Sequence, residues 1–458
     1  MIKYFFPVII SHLIYSPDSR HLAIASGKNV KIFTSKNDTW LNTGSIEHQH
    51  KFICPPNFSP DSRKLVIGTQ DNKALVCDFH EDQLSNILIK NAKPGSSRFS
   101  HDNHLATYNV TPTDTGWISK RTLFFSDEQN NFLKRISNTY QDAIKTIRFS
   151  PDDRFLLTVL QKSVMIRKLE GSNQDQLLIS ISKGEGVDEI IESYFSPNSC
   201  TLVTSSTHKI NIHVLGKKRE TWEPHRKIDI IGNMGGCAFS PDSQSLVYAT
   251  RSGFSYILVC DKGNWEINKL IPETYDHIMG GFNHNGSCLV LCTDDRLSSL
   301  IFTRKKAGGW IKEQEIRHLA EIIFTRFISN DRHLMVTSQK NNTATIYTLN
   351  EKDLFVKSDQ VTHYVGQRPE IYPDQQRLIV SKDNSACILT VDQAGLLKEQ
   401  QKLPHESSVR HIKLSPDGRT LATASDHIFR IFMERDDSVQ PEPVTAQNLQ
   451  EDSDRMSL

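Results

Sequence analysis

LSPDGRTLATAS, at residues 414–425, contains the clearest fold signal in the chain. Its centre, Ser415-Pro416-Asp417-Gly418, is typical of a tight turn. Proline presets φ, aspartate accepts a local backbone hydrogen bond, and glycine adopts a positive φ without strain. On both sides of the turn, apolar and polar residues alternate as in a half-buried strand. The sequence therefore predicts two antiparallel strands joined by this turn.

The same pattern recurs along the chain at intervals of 41 to 50 residues. We call the residue before each Ser-Pro-Asp turn the anchor, and the ten anchors are at residues 15, 58, 99, 149, 195, 239, 282, 328, 371 and 414. The third and seventh copies, FSHDN and FNHNG, lack the proline, and the eighth, ISNDR at 328–332, looks one residue short. A repeat of about 40–45 residues with several short strands is typical of a β-propeller blade.

Each copy continues through a second strand, a polar turn and a third strand, and a fourth, outer strand follows. Tryptophan often marks the start of that outer strand, 17 or 18 residues before the next anchor, at Trp40, Trp222, Trp265 and Trp310. The fixed offset predicts that these rings cover the edge of the next sheet layer rather than bind a ligand. Trp117 lies 32 residues before its anchor, so we expect an insertion around residues 122–140.

Residues 11–433 resemble the WD40 repeat family. The resemblance rests on the F-S-P-D-x-R-x-L-A-x-x-S core, on an Asp-led turn into the third strand, and on a histidine about nine residues before the anchor. The Trp-Asp dipeptide of the family is missing, and its tryptophan position holds Phe33, Cys77, Leu389 and Phe432. The resemblance implies an all-β, WD40-like β-propeller of about ten four-stranded blades.

In the family, that tryptophan completes a hydrogen-bonded network through Ser/Thr and His to the turn Asp. The tenth copy cannot donate the tryptophan N–H, but it retains the other positions of the network and of the turn. These structural repeat positions are His405, Ser415, Pro416, Asp417, Ser425, Asp426 and Phe432.

The arrangement of the ten units has three alternatives: a single large ring, an incompletely closed array, or two smaller propellers. Ring closure in this family requires the N-terminus to supply the last outer strand, a role that residues 2–9 could take. The unbroken spacing favours one continuous array over residues 1–433. The acidic segment 434–458 has little apolar content, and we expect a disordered tail. The abrupt start suggests that relatives carry a further N-terminal domain.

Composition limits the classes of partner. Lys and Arg number 54 against 53 Asp and Glu, which argues against nucleic acid or an anionic membrane as the main ligand. No apolar run reaches the ~18 residues of a membrane helix. The eight cysteines form no C-x-x-C pair. They are expected to be reduced core thiols of a cytoplasmic protein, with Cys288 and Cys292 on one face of a strand.

No catalytic motif is present, and neither a cofactor nor a metal site is predicted. The basic clusters at 217–219 and 304–306 are expected to be solvated hairpins. The resemblance implies a non-enzymatic, monomeric scaffold that binds a protein or peptide. Its loops for this purpose would be those entering the first strand of each blade, at 46–52, 225–234, 274–279, 318–322, 361–366 and 404–408. The alternatives are a hydrolase with a site in the channel, and a truncated repeat array without independent function.

Overall fold

The computed structural model describes residues 2–37, 39–80, 83–93, 95–114, 116–126, 132–169, 175–182, 190, 192–206, 208–216, 221–231, 234–261, 263–272, 274, 280–293, 295–306, 308–339, 342–363 and 369–434. The predicted tail lies outside these residues except for Glu434. In the described residues, forty strands form ten antiparallel four-stranded sheets. This part of the chain contains no helix long and apolar enough to cross a membrane.

Each sheet is one blade, and its strands follow the chain from the inner to the outer edge. Blades one to five contain β2 (Ile10–Tyr15), β3 (His21–Ser26), β4 (Asn29–Lys36), β5 (Thr39–Glu47); β6 (Asn57–Phe58), β7 (Lys64–Gly68), β8 (Lys73–His80), β9 (Gln83–Asn91); β10 (Arg98–Phe99), β11 (Leu105–Thr113), β12 (Gly116–Ser126), β13 (Phe132–Tyr140); β14 (Ile144–Phe149), β15 (Phe155–Leu160), β16 (Ser163–Lys168), β17 (Gln176–Ser182); β18 (Glu192–Phe195), β19 (Thr201–Ser205), β20 (Lys209–Leu215) and β21 (Trp222–Asp229).

The second half of the ring repeats this order. Blades six to ten contain β22 (Met234–Phe239), β23 (Ser245–Thr250), β24 (Phe254–Asp261), β25 (Asn264–Pro272); β26 (Gly281–Phe282), β27 (Cys288–Cys292), β28 (Ser298–Arg304), β29 (Trp310–Arg317); β30 (Ile322–Ile328), β31 (His333–Ser338), β32 (Thr343–Leu349), β33 (Phe355–Thr362); β34 (Glu370–Ile371), β35 (Arg377–Lys382), β36 (Ser385–Val391), β37 (Leu397–Pro404); β38 (His411–Leu414), β39 (Thr420–Ala424), β40 (Ile428–Met433) and β1 (Ile2–Phe5).

The N-terminal strand closes the ring. β1 pairs antiparallel with β40, from Ile2 opposite Ile431 to Phe5 opposite Ile428, and supplies the outer strand of blade ten. Residues of blade one then pack directly on blade ten, in one buried cluster that includes Leu22, Phe33, Phe429 and Ile431. Of the alternatives that the sequence left open, the N-terminus therefore takes the role of the last outer strand. The ten blades form one closed propeller rather than an open array or two smaller rings.

The core is divided among the ten junctions between blades. Ten separate clusters of buried apolar side chains are present, and each combines residues of two successive blades. The middle strands supply most of these side chains, and β3, β15, β23 and β31 are buried along their whole length. A chain of this length is thus stabilised by many thin apolar layers rather than by one large core.

Hydrogen bonds link eight of the ten pairs of neighbouring turns between first and second strands. The fourth residue after the anchor has a positive φ in every blade, for example 64° at Ser19, 65° at Ser62 and 75° at Gly418. Except in blades seven and ten, where the residue is Gly286 and Gly418, its side chain accepts a hydrogen bond from the turn of the preceding blade, as in Asp18 N to Ser62 Oγ at 3.0 Å. The bond from Asp417 N to Ser19 Oγ, also 3.0 Å, connects the last turn to the first.

The structure corrects two details of the repeat. Phe327, not Ile328, is the eighth anchor, because Phe327 pairs with Leu334 in the register that Tyr15 and Leu22 show in blade one. The eighth turn therefore has the normal length. The third turn is the short one, since Phe99 pairs with Leu105.

The predicted insertion at residues 122–140 was also wrong. Trp117 belongs to the third strand of blade three, β12, and β12 and β13 together occupy most of that segment. The extra residues lengthen the β11–β12 hairpin, in which Pro112 is opposite Trp117. Trp117 is therefore not equivalent to the other four tryptophans.

Candidate interaction face

The strand order gives the propeller two distinct faces. In each blade the first and third strands run towards one end of the ring, and the second and fourth run towards the other. The upper face therefore carries the connections from each outer strand to the next blade, together with the turns between second and third strands. The lower face carries the turns between first and second strands and those between third and outer strands.

Exposed apolar side chains are concentrated on the upper face. Among the described residues, fifteen large apolar side chains are exposed. Apart from Phe5, which ends β1 at the upper face, six lie on outer strands, and one, Leu396, lies on the lower face. The other eight lie on the upper face: Phe5, Val8, Ile9, Ile53, Trp117, Ile118, Ile231 and Leu319. Because large apolar residues at a surface favour contact with another protein, the upper face is the candidate interaction surface.

Four of these residues form a group where the ring closes, which we call the seam patch: Phe5, Val8, Ile9 and Ile53. The connection from β1 to β2 brings Val8 onto Gly27, where an added Cβ would lie 3.2 Å from Val8 Cγ1. The Gly27 carbonyl accepts the Phe52 N–H at 2.9 Å, which holds Ile53 on the same surface. The seam patch thus joins Phe5, whose strand completes blade ten, to residues at the start of blades one and two.

Charged groups surround the seam patch. Asp426 and Arg410 form an ion pair at 2.5 Å, and Asp71 and Lys73 form one at 2.8 Å. Burial raises the pKa of Asp71, but hydrogen bonds from Lys73 and Thr69 outweigh it and lower the pKa to about 2. An apolar centre with a charged, solvated border is the usual arrangement of a protein-binding surface.

The predicted repeat positions of the tenth turn lie on the lower face and stabilise the turn itself. Ser415 Oγ donates to Asp417 Oδ1 at 2.6 Å and accepts the Thr420 N–H at 2.9 Å. Asp417 Oδ1 accepts the Arg419 N–H at 3.0 Å. Pro416 is exposed between them. These contacts confirm the predicted turn chemistry and give these residues a structural role.

The other predicted positions of the tenth copy do not form one network. His405 Nε2 lies 3.0 Å from Thr423 Oγ1, while Ser425 Oγ donates to the Ile428 carbonyl at 3.3 Å. Asp426 pairs with Arg410 instead of contacting His405. The half-buried Phe432 packs edge-on to His405, with 6.3 Å between ring centroids. In the absence of the tryptophan N–H, His405 is held by Thr423, which lies two residues before the expected partner Ser425.

Four tryptophans are packing residues. Trp40, Trp222, Trp265 and Trp310 are 1 to 4% exposed, at the start of their outer strands. Each packs on the anchor of its own blade, as Trp265 does on Phe239 at 5.9 Å, and faces the preceding blade rather than the following one. The predicted packing role is confirmed, but the neighbouring sheet that each ring covers is the preceding one and not the next one. Trp117, by contrast, is 46% exposed.

The described thiols and histidines are mostly held in local or packing contacts. All eight cysteines are free. Burial raises the pKa of Cys288 and of Cys292 to about 12, so both are neutral thiols in the same apolar cluster. His48 Nδ1 accepts the His50 N–H at 3.1 Å. In the part of the chain that the structure describes, no group of three or more His, Cys, Asp or Glu side chains is placed to hold a metal ion.

The predicted loops fall partly on this surface. Residues 318–321, 405–408 and 48–52 lie in upper-face connections, whereas 225–229 belong to β21. The segments 275–279, 364–366 and 232–233 and the cluster 217–219 lie outside the described residues. Arg304 pairs with Asp242 at 2.7 Å on the lower face. Sequence reasoning missed Val8 and Ile9, although their position after the N-terminal strand and before the first repeat set them apart from the blade pattern.

The comparisons with known proteins agree with this architecture. Residues 397–432 match the family model of the WD domain, G-beta repeat. That segment contains β37, β38, β39 and β40, which are the outer strand of blade nine and the three inner strands of blade ten. This segment is similar to one WD40 repeat. The predicted resemblance is thereby confirmed, and the boundaries of the WD40 repeat coincide with the strand order that the family implies.

No curated protein matches the sequence. Among solved structures, the Dos1 propeller is similar at 13% identity, covering 73% of this chain and 90% of that one with a TM-score of 0.45. A protein from Lactobacillus plantarum is similar at 12% identity, covering 64% and 92%, with a TM-score of 0.38. The propeller assignment rests on the ten sheets of this chain and on its WD40 repeat.

Proposed function

We propose that this propeller is a non-enzymatic scaffold that binds a protein or peptide partner on its upper face, centred on the seam patch. The observation that carries the proposal is the distribution of exposed apolar side chains, eight on the upper face against one on the lower face. WD40 propellers typically bind protein partners, and this surface has the apolar centre and charged border that such binding requires.

The proposal includes a monomer in the cytoplasm. The eight free cysteines favour a reducing compartment. The near-zero net charge disfavours nucleic acid and membrane surfaces as partners. A scaffold of this kind would act through the rigid placement of its upper-face loops, since each loop is held between two blades of a closed ring.

Site-specific photo-crosslinking tests the proposal. We would place a benzophenone amino acid at Ile53 and, as a matched control, at Leu396, which is similarly exposed but on the lower face. In native extract, the label at Ile53 is expected to yield a discrete adduct that the label at Leu396 does not. Ile9→Asp should abolish the adduct, whereas Leu396→Asp should not. Equal labelling from both positions, or an adduct that persists in Ile9→Asp, would contradict the proposal.

A further inference from the structure

A gap interrupts the side chains that border the channel between blades seven and eight. The residue before each anchor lies on the innermost strand, and in chain order these residues are Ile14, Asn57, Arg98, Arg148, Tyr194, Ala238, Gly281, Arg326, Glu370 and Lys413. Nine of the ten positions carry a side chain, and Gly281 is the exception. The result is a cavity of about 410 Å³ that we call the notch.

The fold does not require glycine at position 281. An added Cβ there would meet no atom of the described residues within 4 Å, and the φ of Gly281 lies outside the left-handed region. The neighbouring Gly280 is different, because an added Cβ would lie 2.3 Å from the Val290 carbonyl oxygen. Gly280 is therefore explained by packing. Gly281 instead leaves open a space that a side chain could fill without strain.

The lining of the notch combines aromatic and cationic groups. Phe282, Phe324 and Phe327 line it with partly buried rings. Each ring also packs on a different cluster, at the junctions of blades six and seven, eight and nine, and seven and eight respectively. Arg326 lies beside them, exposed. Arg326 makes no ion pair among the described residues, in contrast to Arg148, which pairs with Glu192 at 3.3 Å, and to Lys413, which pairs with Glu370.

The one carboxylate in the notch is already occupied by backbone donors. Asp331 Oδ1 accepts the His284 N–H at 2.8 Å, and Asp331 Oδ2 accepts the Asn285 N–H at 3.3 Å. The notch therefore offers an apolar wall with an uncompensated guanidinium at its edge. An apolar side chain would fill the wall, and a carboxylate would complement the guanidinium.

We propose that the notch is a second binding site, which takes a partner peptide segment in which an apolar side chain is followed by an acidic residue. The apolar side chain contacts Phe282, Phe324 and Phe327 in the space left by Gly281, and the carboxylate pairs with Arg326. The site opens on the lower face, and it goes beyond the function proposed for the seam patch. The two sites can be tested separately.

The test uses the full chain and the peptide acetyl-Gly-Leu-Asp-Gly-amide, with versions in which leucine is replaced by serine or aspartate by asparagine. Titration followed by saturation-transfer NMR would measure binding to wild type, Gly281→Leu, Arg326→Gln and the control Asn57→Leu, which changes the equivalent position of blade two. Thermal unfolding would show that each variant is folded. Arg326→Gln keeps the test valid if Gly281→Leu fails to fold.

We expect wild type and Asn57→Leu to bind the Leu-Asp peptide alike, and Gly281→Leu to lose binding. Arg326→Gln should weaken it about tenfold, as should the change of aspartate to asparagine in the peptide. No binding to wild type at millimolar peptide, or equal binding by wild type and Gly281→Leu, would overturn the proposal. Hydrocinnamate, a small molecule with an aromatic ring and a carboxylate, is titrated as an alternative ligand. If hydrocinnamate binds and the peptide does not, the assignment of the site to a peptide is overturned. The Ile53 crosslink should be unchanged in both notch variants.

Discussion

The buried ion pair between blades three and four gives a quantitative test of how the ring is held together. Arg121 is fully buried, and its Nη2 atom donates to Asp175 Oδ1 at 2.6 Å and to Oδ2 at 2.7 Å. Asp175 is immediately before β17, where other blades place a tryptophan. Asp175→Asn would leave the guanidinium buried without a countercharge. Breaking such a pair from one side costs about 3–5 kcal/mol.

The expected melting shift follows from the size of the chain. Unfolding entropy is about 2.1 cal/mol/K per residue, or roughly 960 cal/mol/K for 458 residues that unfold as one unit. A loss of about 4 kcal/mol should therefore lower Tm by about 4 °C. Calorimetry or circular dichroism would measure the shift.

Two further variants check the reasoning. Among the described residues, Arg121 Nε and Nη1 have no hydrogen-bond partner, so Arg121→Met with Asp175→Leu should recover part of the lost stability. The recovery is incomplete because Arg167 Nη1 loses its 3.5 Å contact with Asp175 Oδ2. Glu315→Gln, which breaks the exposed pair with Lys312, should change Tm by less than about 1 °C. If Asp175→Asn melts within a degree of wild type, or if the double variant is less stable than the single one, the pair does not bear on stability as argued.

Three other predictions concern closure, pH and turn geometry. Deletion of residues 2–5 should expose the edge of β40 and cause self-association, visible by light scattering. Burial and nearby Arg430 lower the pKa of His405 to about 4, so the unfolded state binds more protons as pH falls from about 6.5 towards 4. The Tm should therefore fall on acidification in this range, and less in His405→Gln; an equal slope in both proteins would count against it. Gly418→Ala should lower Tm, because φ is 75° and the new Cβ would lie 3.0 Å from Pro373 Cδ, whereas Gly281→Ala should not.

The fold was predictable because its signal is local. The turn residues, from Ser415 to Gly418, report backbone dihedral angles directly, and repetition at ten anchors gives the number of blades. Details that depend on which residues of neighbouring strands pair were harder to predict from the sequence. Phe327 and Ile328 are both apolar, so only the strand register identifies the eighth anchor.

The candidate site was less predictable than the fold. Trp117 misled the repeat analysis, because a tryptophan near a strand start looks the same in a third strand as in an outer one. The seam patch could not be derived from periodicity, since Val8 and Ile53 lie outside the regular strands and both reach the surface beside Gly27 of the first blade. Likewise, the role of Gly281 becomes visible only when this position is compared with the equivalent innermost-strand positions of the other nine blades.

Hydrogen–deuterium exchange on the complex recovered through the Ile53 crosslinking experiment would show where the partner binds. The proposed function predicts slower exchange in the segments that contain Val8, Ile9 and Ile53, with unchanged exchange in the lower-face turn that contains Leu396. Protection restricted to the lower face or to the outer strands, with the seam patch exchanging as in the free protein, would contradict the account.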